Sequence, residues 1–324
     1  MKIRLGYVAI SNVLGKKVTS SSTVTFANYK KIPTEEKRIE KLKTVTLSNL
    51  DDLTKLIKYN IENDIHFYRI TSALIPLVTH PEVGYFGHRE IFKKDFEYIG
   101  KLIRESNMRV DSHPDEFNVL NSNNPKVVEN SIINLTRQLE WFEDMNYKDG
   151  KMVIHVGGAT GGKEAALKRF INNFNTFPSN IKNSLIIEND DKTYTARETL
   201  NLCKIINAPM VLDIHHHNCN NTGDDIKEIL QDIINTWDNQ NLPPKMHFSS
   251  PKDRSLEDKV DRKHADFIDP IDFINFIEIL KLFNRDIDIM LECKEKDIAL
   301  FKLVEDIKEI KKDYTWIDKT TLLI

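Results

Sequence analysis

Eight short apolar runs set the tightest limit on how this chain can fold. They fall at residues 3–8, 66–70, 109–111, 152–155, 185–188, 210–213, 245–248 and 288–292. Longer stretches with apolar residues at helical spacing lie between them; Leu50, Leu53, Ile57 and Ile61 are one such set. The spacing predicts helices over 47–63, 89–106, 125–146, 164–174, 196–206, 224–237 and 270–282, and from 298 onward. Ser48 or Asn49 is expected to cap the first of these, and Pro270 suits a first helical turn. Strands that alternate with helices pair in parallel, and eight such units close into a (β/α)8 TIM barrel. The structural alternative is a doubly wound open sheet, but no glycine-rich turn follows the first strand, where a dinucleotide fold would place it. No break in composition marks a second domain. One barrel domain over 1–324 is expected, with a short C-terminal extension from about residue 312. The polar segment 11–25 reads as an exposed loop, and 239–269 is the longest structure-poor insertion.

Within this frame the chemistry gathers at strand ends. Residues 211–218 run Val-Leu-Asp-Ile-His-His-His-Asn, so Asp213 and His216 stand where a buried strand should open into a loop. Carboxylate and imidazole together are the usual ligands of zinc, manganese and iron. His113 closely follows the third strand, His155 ends the fourth and Glu188 the fifth; His247 lies on the seventh and Glu292 ends the eighth. In a TIM barrel all C-terminal strand ends meet on one face, where active sites sit. Any one of these residues could be structural, His155 as a core histidine or Glu292 as a helix cap. Random placement would scatter them over both faces and the helices. So many inward ligands exceed the needs of one ion and imply two or three, with Glu188 as the natural bridge. Mixed histidine and carboxylate ligation suits manganese or zinc better than calcium.

Other features are less specific. The glycine-rich stretch 157–162 lacks the Gly-Lys-Ser/Thr ending of a P-loop and reads equally well as a flexible loop. The stretch 252–263 interleaves Lys252, Arg254, Lys259, Arg262 and Lys263 with acids, which fits a solvated surface; its basic members could also track a phosphate backbone. A net charge of -3 argues against a generic nucleic-acid coat, though not against a nuclease whose acidic ligands are neutralised by ions. No run approaches the roughly eighteen apolar residues of a membrane span, and the first seven residues hold no apolar core of signal-peptide length. A cytoplasmic protein without membrane contact is expected. Three widely spaced cysteines, Cys203, Cys219 and Cys293, fit neither a disulfide framework nor a zinc knuckle.

The chain resembles the UV damage endonucleases, which cut DNA on the 5′ side of UV photoproducts. The likeness runs from Arg4 to about Glu305. It is carried by the stretches at 4–7, 68–72, 113–114, 153–158, 188–191, 213–216 and 245–250 (Lys-Met-His-Phe-Ser-Ser). The resemblance implies a TIM barrel like that of endonuclease IV, with a metal cluster. It assigns His113, His155 and Glu188 to one ion, Glu188, Asp213, His247 and Glu292 to a second, and His216 and His264 to a third. It makes His80 a further active-site histidine near the scissile phosphate. It matches Lys245 to a lysine that can be carboxylated into a metal-site ligand; unmodified, Lys245 would be a cation beside the phosphate. Tyr7 and Asn12 match positions that contact the damaged nucleotides. Glu116 and Phe117 stand where the family often carries a Gln-Tyr pair that probes the lesion. Phe117 can still wedge and stack, whereas the acidic Glu116 departs from the pattern.

The implied cofactors are two or three divalent ions, manganese foremost, with zinc or magnesium as alternatives. The implied partner is UV-damaged double-stranded chromosomal DNA, extruded at the lesion and met by a monomer. The products would be a 3′-hydroxyl and a 5′-phosphate. Two other readings stay open at the level of sequence. A sugar isomerase of the xylose isomerase type also loads a barrel with metal, but favours carboxylate-dominated ligation. A non-enzymatic damage-binding protein on the same fold would not need so complete a ligand set.

Overall fold

The computed structural model describes residues 1–256 and 260–324. Part of the mixed-charge stretch 252–263 therefore lies outside the described residues. The eight strands are β1 (Lys2–Val8), β2 (Phe67–Ile70), β3 (Arg109–Ser112), β4 (Lys151–His155), β5 (Leu185–Glu188), β6 (Met210–Asp213), β7 (Lys245–Phe248) and β8 (Ile287–Leu291). Each pairs in parallel with the next, and β1 pairs with both β2 and β8, which closes a TIM barrel. Closure brings β1 so near β2 that a Cβ at Gly6 would collide with the carbonyl of Phe67.

The helices around the barrel are α1 (Phe26–Lys31), α2 (Glu35–Glu62), α3 (His88–Ile91), α4 (Lys93–Glu105), α5 (Pro125–Asp144), α6 (Lys163–Thr176) and α7 (Ser179–Ser184). They continue with α8 (Ala196–Ile206), α9 (Ile214–Cys219), α10 (Lys227–Asn235), α11 (Pro270–Lys281) and α12 (Lys296–Ile310). Their apolar stripes and the outward residues of the strands form one continuous core that includes Ile3, Leu5, Ile99, Leu212 and Leu303.

Several elements differ from expectation. Helix α2 begins twelve residues before position 47, at Glu35, and is capped by Thr34, whose side chain accepts from the Lys37 N–H. Its first turns carry mostly charged, solvent-facing residues, so no apolar period announces them. Asn49 is no cap. It is wholly buried and accepts from Ser22 N at 2.9 Å while donating to the Leu74 carbonyl at 3.0 Å. The segment 11–25 is accordingly a pinned loop in which Ser11 and Ser20 are buried. The stretch 89–106 breaks at Phe92 into α3 and α4. Downstream of 312 the chain forms a hairpin, β9 (Thr315–Trp316) and β10 (Thr321–Leu323). Strand β10 runs antiparallel to the first residues of β1, Lys2 opposite Leu323 and Arg4 opposite Thr321, while β2 covers only residues 6–8.

Alternate residues of each strand face the barrel axis. On one side of the lower interior Val153, Ile186 and Val211 pack with Trp237, whose indole donates to the Met210 carbonyl at 2.7 Å. On the other side the filling is ionic. Asp288 accepts from Arg4 at 2.6 Å and from Arg109 at 2.7 Å, and Lys245 pairs with Asp111 at 2.5 Å. The next layer upward, at the C-terminal strand ends, carries the site. Among the described residues no helix is long and apolar enough to cross a membrane, and the three cysteines are free.

Candidate metal centre

Glu188 ends β5 and is 1% exposed. One of its oxygens lies 3.2 Å from His113 Nε2 and 3.7 Å from His155 Nε2. The other lies 2.8 Å from His247 Nδ1 and 3.4 Å from His216 Nδ1. Two groups of ligand atoms result, each within 4.8 Å of one another: His113, His155 and Glu188, and Glu188, Asp213, His247 and Glu292. Glu188 belongs to both.

The loop expected after β6 is instead the short helix α9. Asp213 is its N-cap and accepts from the His216 N–H at 2.8 Å, which turns His216 back over the strand end. Asn189 braces the same corner, donating to the Asp213 carbonyl at 3.0 Å and accepting from the Asp213 N–H at 2.9 Å. The second oxygen of Asp213 is buried and has no hydrogen-bond donor among the described residues. Three histidines have one ring nitrogen tied to a backbone carbonyl: His113 to Pro114 at 3.0 Å, His216 to Asn189 at 3.0 Å and His264 to Glu292. A carbonyl only accepts, so each ring donates from Nδ1 and, when neutral, keeps its lone pair on Nε2. Hydrogen bonds of this kind behind the ring orient metal-ligating imidazoles. His113 Nε2 thus faces a carboxylate oxygen: the charged ring donates to it, and the neutral ring turns a lone pair to it, where a cation between the two satisfies both. The donor set fits divalent ions.

The electrostatics follow from crowding charge without water. Burial alone would raise the Glu188 carboxyl, but charge on His247 and His155 and the hydrogen bond from His113 outweigh it, and the group stays well below the carboxylate range. Burial opposes the charge on His216, yet Asp213, Glu188 and Glu292 raise it to about 9. Glu292 is likewise lowered: burial opposes, and Arg69 leads the groups that reverse it.

Sequence reasoning gives Arg69 no role, although it lies in one of the stretches that carry the resemblance. It is 6% exposed on β2 and lies 2.7 Å from both a Glu292 oxygen and His247 Nε2. Asp111 and Asn189 are missed in the same way. The inward period of two on β2 and β3 is the available signal, since it places Arg69 and Asp111 on the barrel side. Lys245 faces the same interior one layer below His247. Its ammonium is fully buried against Asp111 and 5.4 Å over the Phe67 ring, and neither ligand group includes it. Burial, partly offset by Asp111, lowers it to about 8.

The remaining candidates lie around the rim or beneath it. His264 sits on the 249–269 connection, bridged to Pro251, with its ring 6.3 Å from His216. His80 stacks on Phe26 with ring centroids 3.8 Å apart and accepts from the Glu82 N–H. It makes no hydrogen bond to the cluster. Tyr7 is wholly buried, its hydroxyl donating to Asn60 at 2.8 Å, and is not presented to solvent. Asn12 lies on the loop after β1. Glu116 and Phe117 lie on the loop after β3, where Phe117 is 72% exposed. In the glycine-rich stretch the Gly158 carbonyl accepts from Asn121 and Tyr194, which makes it a braced loop.

The family model for UV-endonuclease UvdE matches residues 3–319. The UV DNA damage endonuclease of Bacillus cereus strain B4264 is 39% identical over 313 residues, covering 96% of each chain. A crystal structure of SacUVDE is similar with a TM-score of 0.83 and 32% identity, over 96% of this chain and 99% of that one. Endonuclease IV from Thermus thermophilus, at 13% identity and a TM-score of 0.55, shares the fold over 94% of this chain and 99% of that one.

Proposed function

Because this chain belongs to the UV-endonuclease UvdE family, and so is an endonuclease of UV-damage repair, we propose that it hydrolyses the phosphodiester on the 5′ side of a UV photoproduct. The products are a 3′-hydroxyl and a 5′-phosphate. The single observation that carries the reading is the convergence of two ligand groups that share Glu188 on the open face of the barrel. His113, His155 and Glu188 would hold one divalent ion, and Glu188, Asp213, His247 and Glu292 a second. His216 and His264, whose Nε2 atoms make no hydrogen bond among the described residues, would serve a third. Manganese fits this donor set best. Bound there, such ions supply an activated water and neutralise charge on the phosphate.

The chain's own residues do the rest. The carboxylates of Glu188, Asp213 and Glu292 fix where cations gather, and the carbonyl-bound imidazoles hold their ligating nitrogens without reorganisation. His80 stands at the rim as a donor to the phosphate. Lys245 belongs to the same reading in its carboxylated form. An amine lowered to about 8 keeps a neutral fraction whose nitrogen can bond the carbon of carbon dioxide and lose its proton to Asp111, and Arg69 and Arg109 would flank the resulting carbamate. Phe117 wedges into the stack at the lesion, Glu116 beside it, and Asn12 meets the extruded nucleotides. The protein acts as a monomeric barrel domain on chromosomal DNA in the cytoplasm.

The test is an end-labelled duplex carrying one thymine dimer, incubated with protein and manganese. One cut immediately 5′ to the dimer is expected, with a 3′ end that a ligase or polymerase can extend, and none after chelation. A cut on the 3′ side, or cutting that survives complete removal of metal, overturns the reading.

A further inference from the structure

The metal centre occupies one end of the barrel, and the other end is open as well. A cavity of about 550 Å³ lies where β1, β3 and β8 begin, beside the turns that lead into β4 and β7. Its volume is that of a small-molecule site. The N-terminal face of a TIM barrel ordinarily serves stability, so a cavity there calls for a look at its lining.

Five cations line it: Lys2, Arg4, Arg104, Arg109 and Lys148. Three acids oppose them, Asp149, Asp286 and Asp288, which leaves a surplus of two positive charges in a chain whose net charge is -3. At the floor, the buried Asp288 is shared by two guanidinium groups. Arg4 spans its two oxygens at 2.6 and 2.7 Å, and Arg109 reaches one of them at 2.7 Å. One carboxylate therefore balances only one of the two charges. The Arg4 side chain is 19% exposed, and its Nη1 makes no hydrogen bond among the described residues. Nearer the mouth, Arg104 donates to the carbonyls of Met145 and Asn146, which leaves its charge unbalanced. Lys148 is exposed and has no ion pair among the described residues. Asp286 lies 3.9 Å from Lys2, a pair that water screens. Asp149 works against an anion, and the unbalanced cations outnumber it. The remaining wall is apolar, made by Ile103, Met108, Leu242 and Pro243 with Tyr147 beside them.

We infer that this cavity binds a nucleoside monophosphate, with the phosphate on Arg4, Arg104 and Lys148 and the base against the apolar wall. A phosphate monoester carries about -1.5 to -2 charge at neutral pH, which matches the surplus. A flat base covers apolar side chains that a bare phosphate or a sugar phosphate would leave in water. No lining residue belongs to either ligand group around Glu188, so this site is separate from the metal centre.

The test is calorimetric titration of adenosine monophosphate into the metal-loaded protein, with adenosine and inorganic phosphate as separate probes. The nucleotide should bind saturably and at least about 10-fold more tightly than either probe, since each probe fills one half of the site. Removal of divalent ions with a chelator should leave its affinity unchanged. Loss of binding on chelation would put the nucleotide at the metal centre and overturn the inference. Lys148→Glu reverses a charge at the mouth and should weaken binding by about 10-fold or more. Asn241→Trp, at the exposed rim of the cavity, should block it. Both positions are exposed, and an unchanged thermal midpoint in each variant shows that the fold is intact. Wild-type affinity in both variants would place the nucleotide elsewhere and overturn the inference. So would the absence of saturation by about 10 mM nucleotide. Phosphate alone binding as tightly as the nucleotide would remove the base from the site.

Discussion

Glu188 is the one side chain that both ligand groups need, and it sits where burial should have made a carboxylate neutral. Replacing one oxygen by an amide keeps the shape and removes the charge. Glu188→Gln should lower metal affinity by more than about 100-fold, beyond the usual loss when a hydrogen bond behind a ligand is removed, and abolish cutting with the far-UV spectrum intact. Full metal content in the variant would remove Glu188 from the site. Lys245 and Asp111 make a fully buried pair below it. Asp111→Ala leaves a buried ammonium alone and should cost about 3–5 kcal/mol of stability, read as a shift in urea midpoint; an unchanged midpoint means that the lysine is not charged there. Mass measurement under mild conditions then tells whether carbon dioxide is carried on Lys245. His88 is buried against Tyr85 and Phe86, and neither ring nitrogen has a hydrogen-bond partner among the described residues. Burial, with Arg137 and Arg89 nearby, lowers it from 6.5 to about 4. The unfolded chain then binds this proton first as pH falls. The stability contributed by neutral His88 is present above about 6.5 and is lost on the way down to about 4. His88→Leu should flatten the pH dependence of the unfolding midpoint over that window, and parallel profiles for the two proteins would refute the assignment.

At the scale of elements, the site depends on how each strand passes into the next element. Helix α9 is short, and Asp213 serves it both as N-cap and as ligand candidate, so one carboxylate orients His216 through the backbone and faces the cluster with its other oxygen. Helix α4 shows how little slack the outer ring has. Gly100 sits where α4 meets the end of α5, and a Cβ there would strike the backbone carbonyl of Met145. Neither partner is a flexible tip that can swing away. Gly100→Ala should therefore destabilise by about 2–3 kcal/mol, an overpacking penalty that outweighs its better helix propensity. Calorimetry that shows the variant as stable as wild type would mean that α4 and α5 shift apart freely.

For the whole molecule, closure decides both stability and function. Strand β2 is too short to cover β1, and the C-terminal hairpin pairs with the part of β1 left bare. The Met1 amino group also donates to the Ile324 carbonyl, which ties the two chain ends together. Deleting residues 313–324 should expose one edge of β1 and lower the thermal midpoint by about 4 °C or more. An unshifted midpoint would show that the hairpin is passive. The barrel interior is unusual in carrying charge through its depth, from Arg4, Asp288 and Arg109 at the base to Arg69 and Glu292 at the top. This internal balancing leaves the acidic ligand cluster next to fixed cations before any ion arrives.

The sequence by itself determined the eight strands, their order and the class of chemistry, because a period of two, a period of 3.6 and the run from Val211 to Asn218 are local properties that need no partner to be seen. It could not show the solvated first turns of α2, which have no apolar face to announce them, or the break at Phe92. The roles of Arg69, Asp111 and Asn189 were likewise hidden. Each sits on or at the end of a strand, and acts on a residue 24 to 178 positions away along the chain. Only closure of the barrel makes such residues neighbours. Tertiary structure also decided that Tyr7 is buried and that Lys245 meets Asp111. In each case the identity of the residue left several partners open, and the geometry around it selected one.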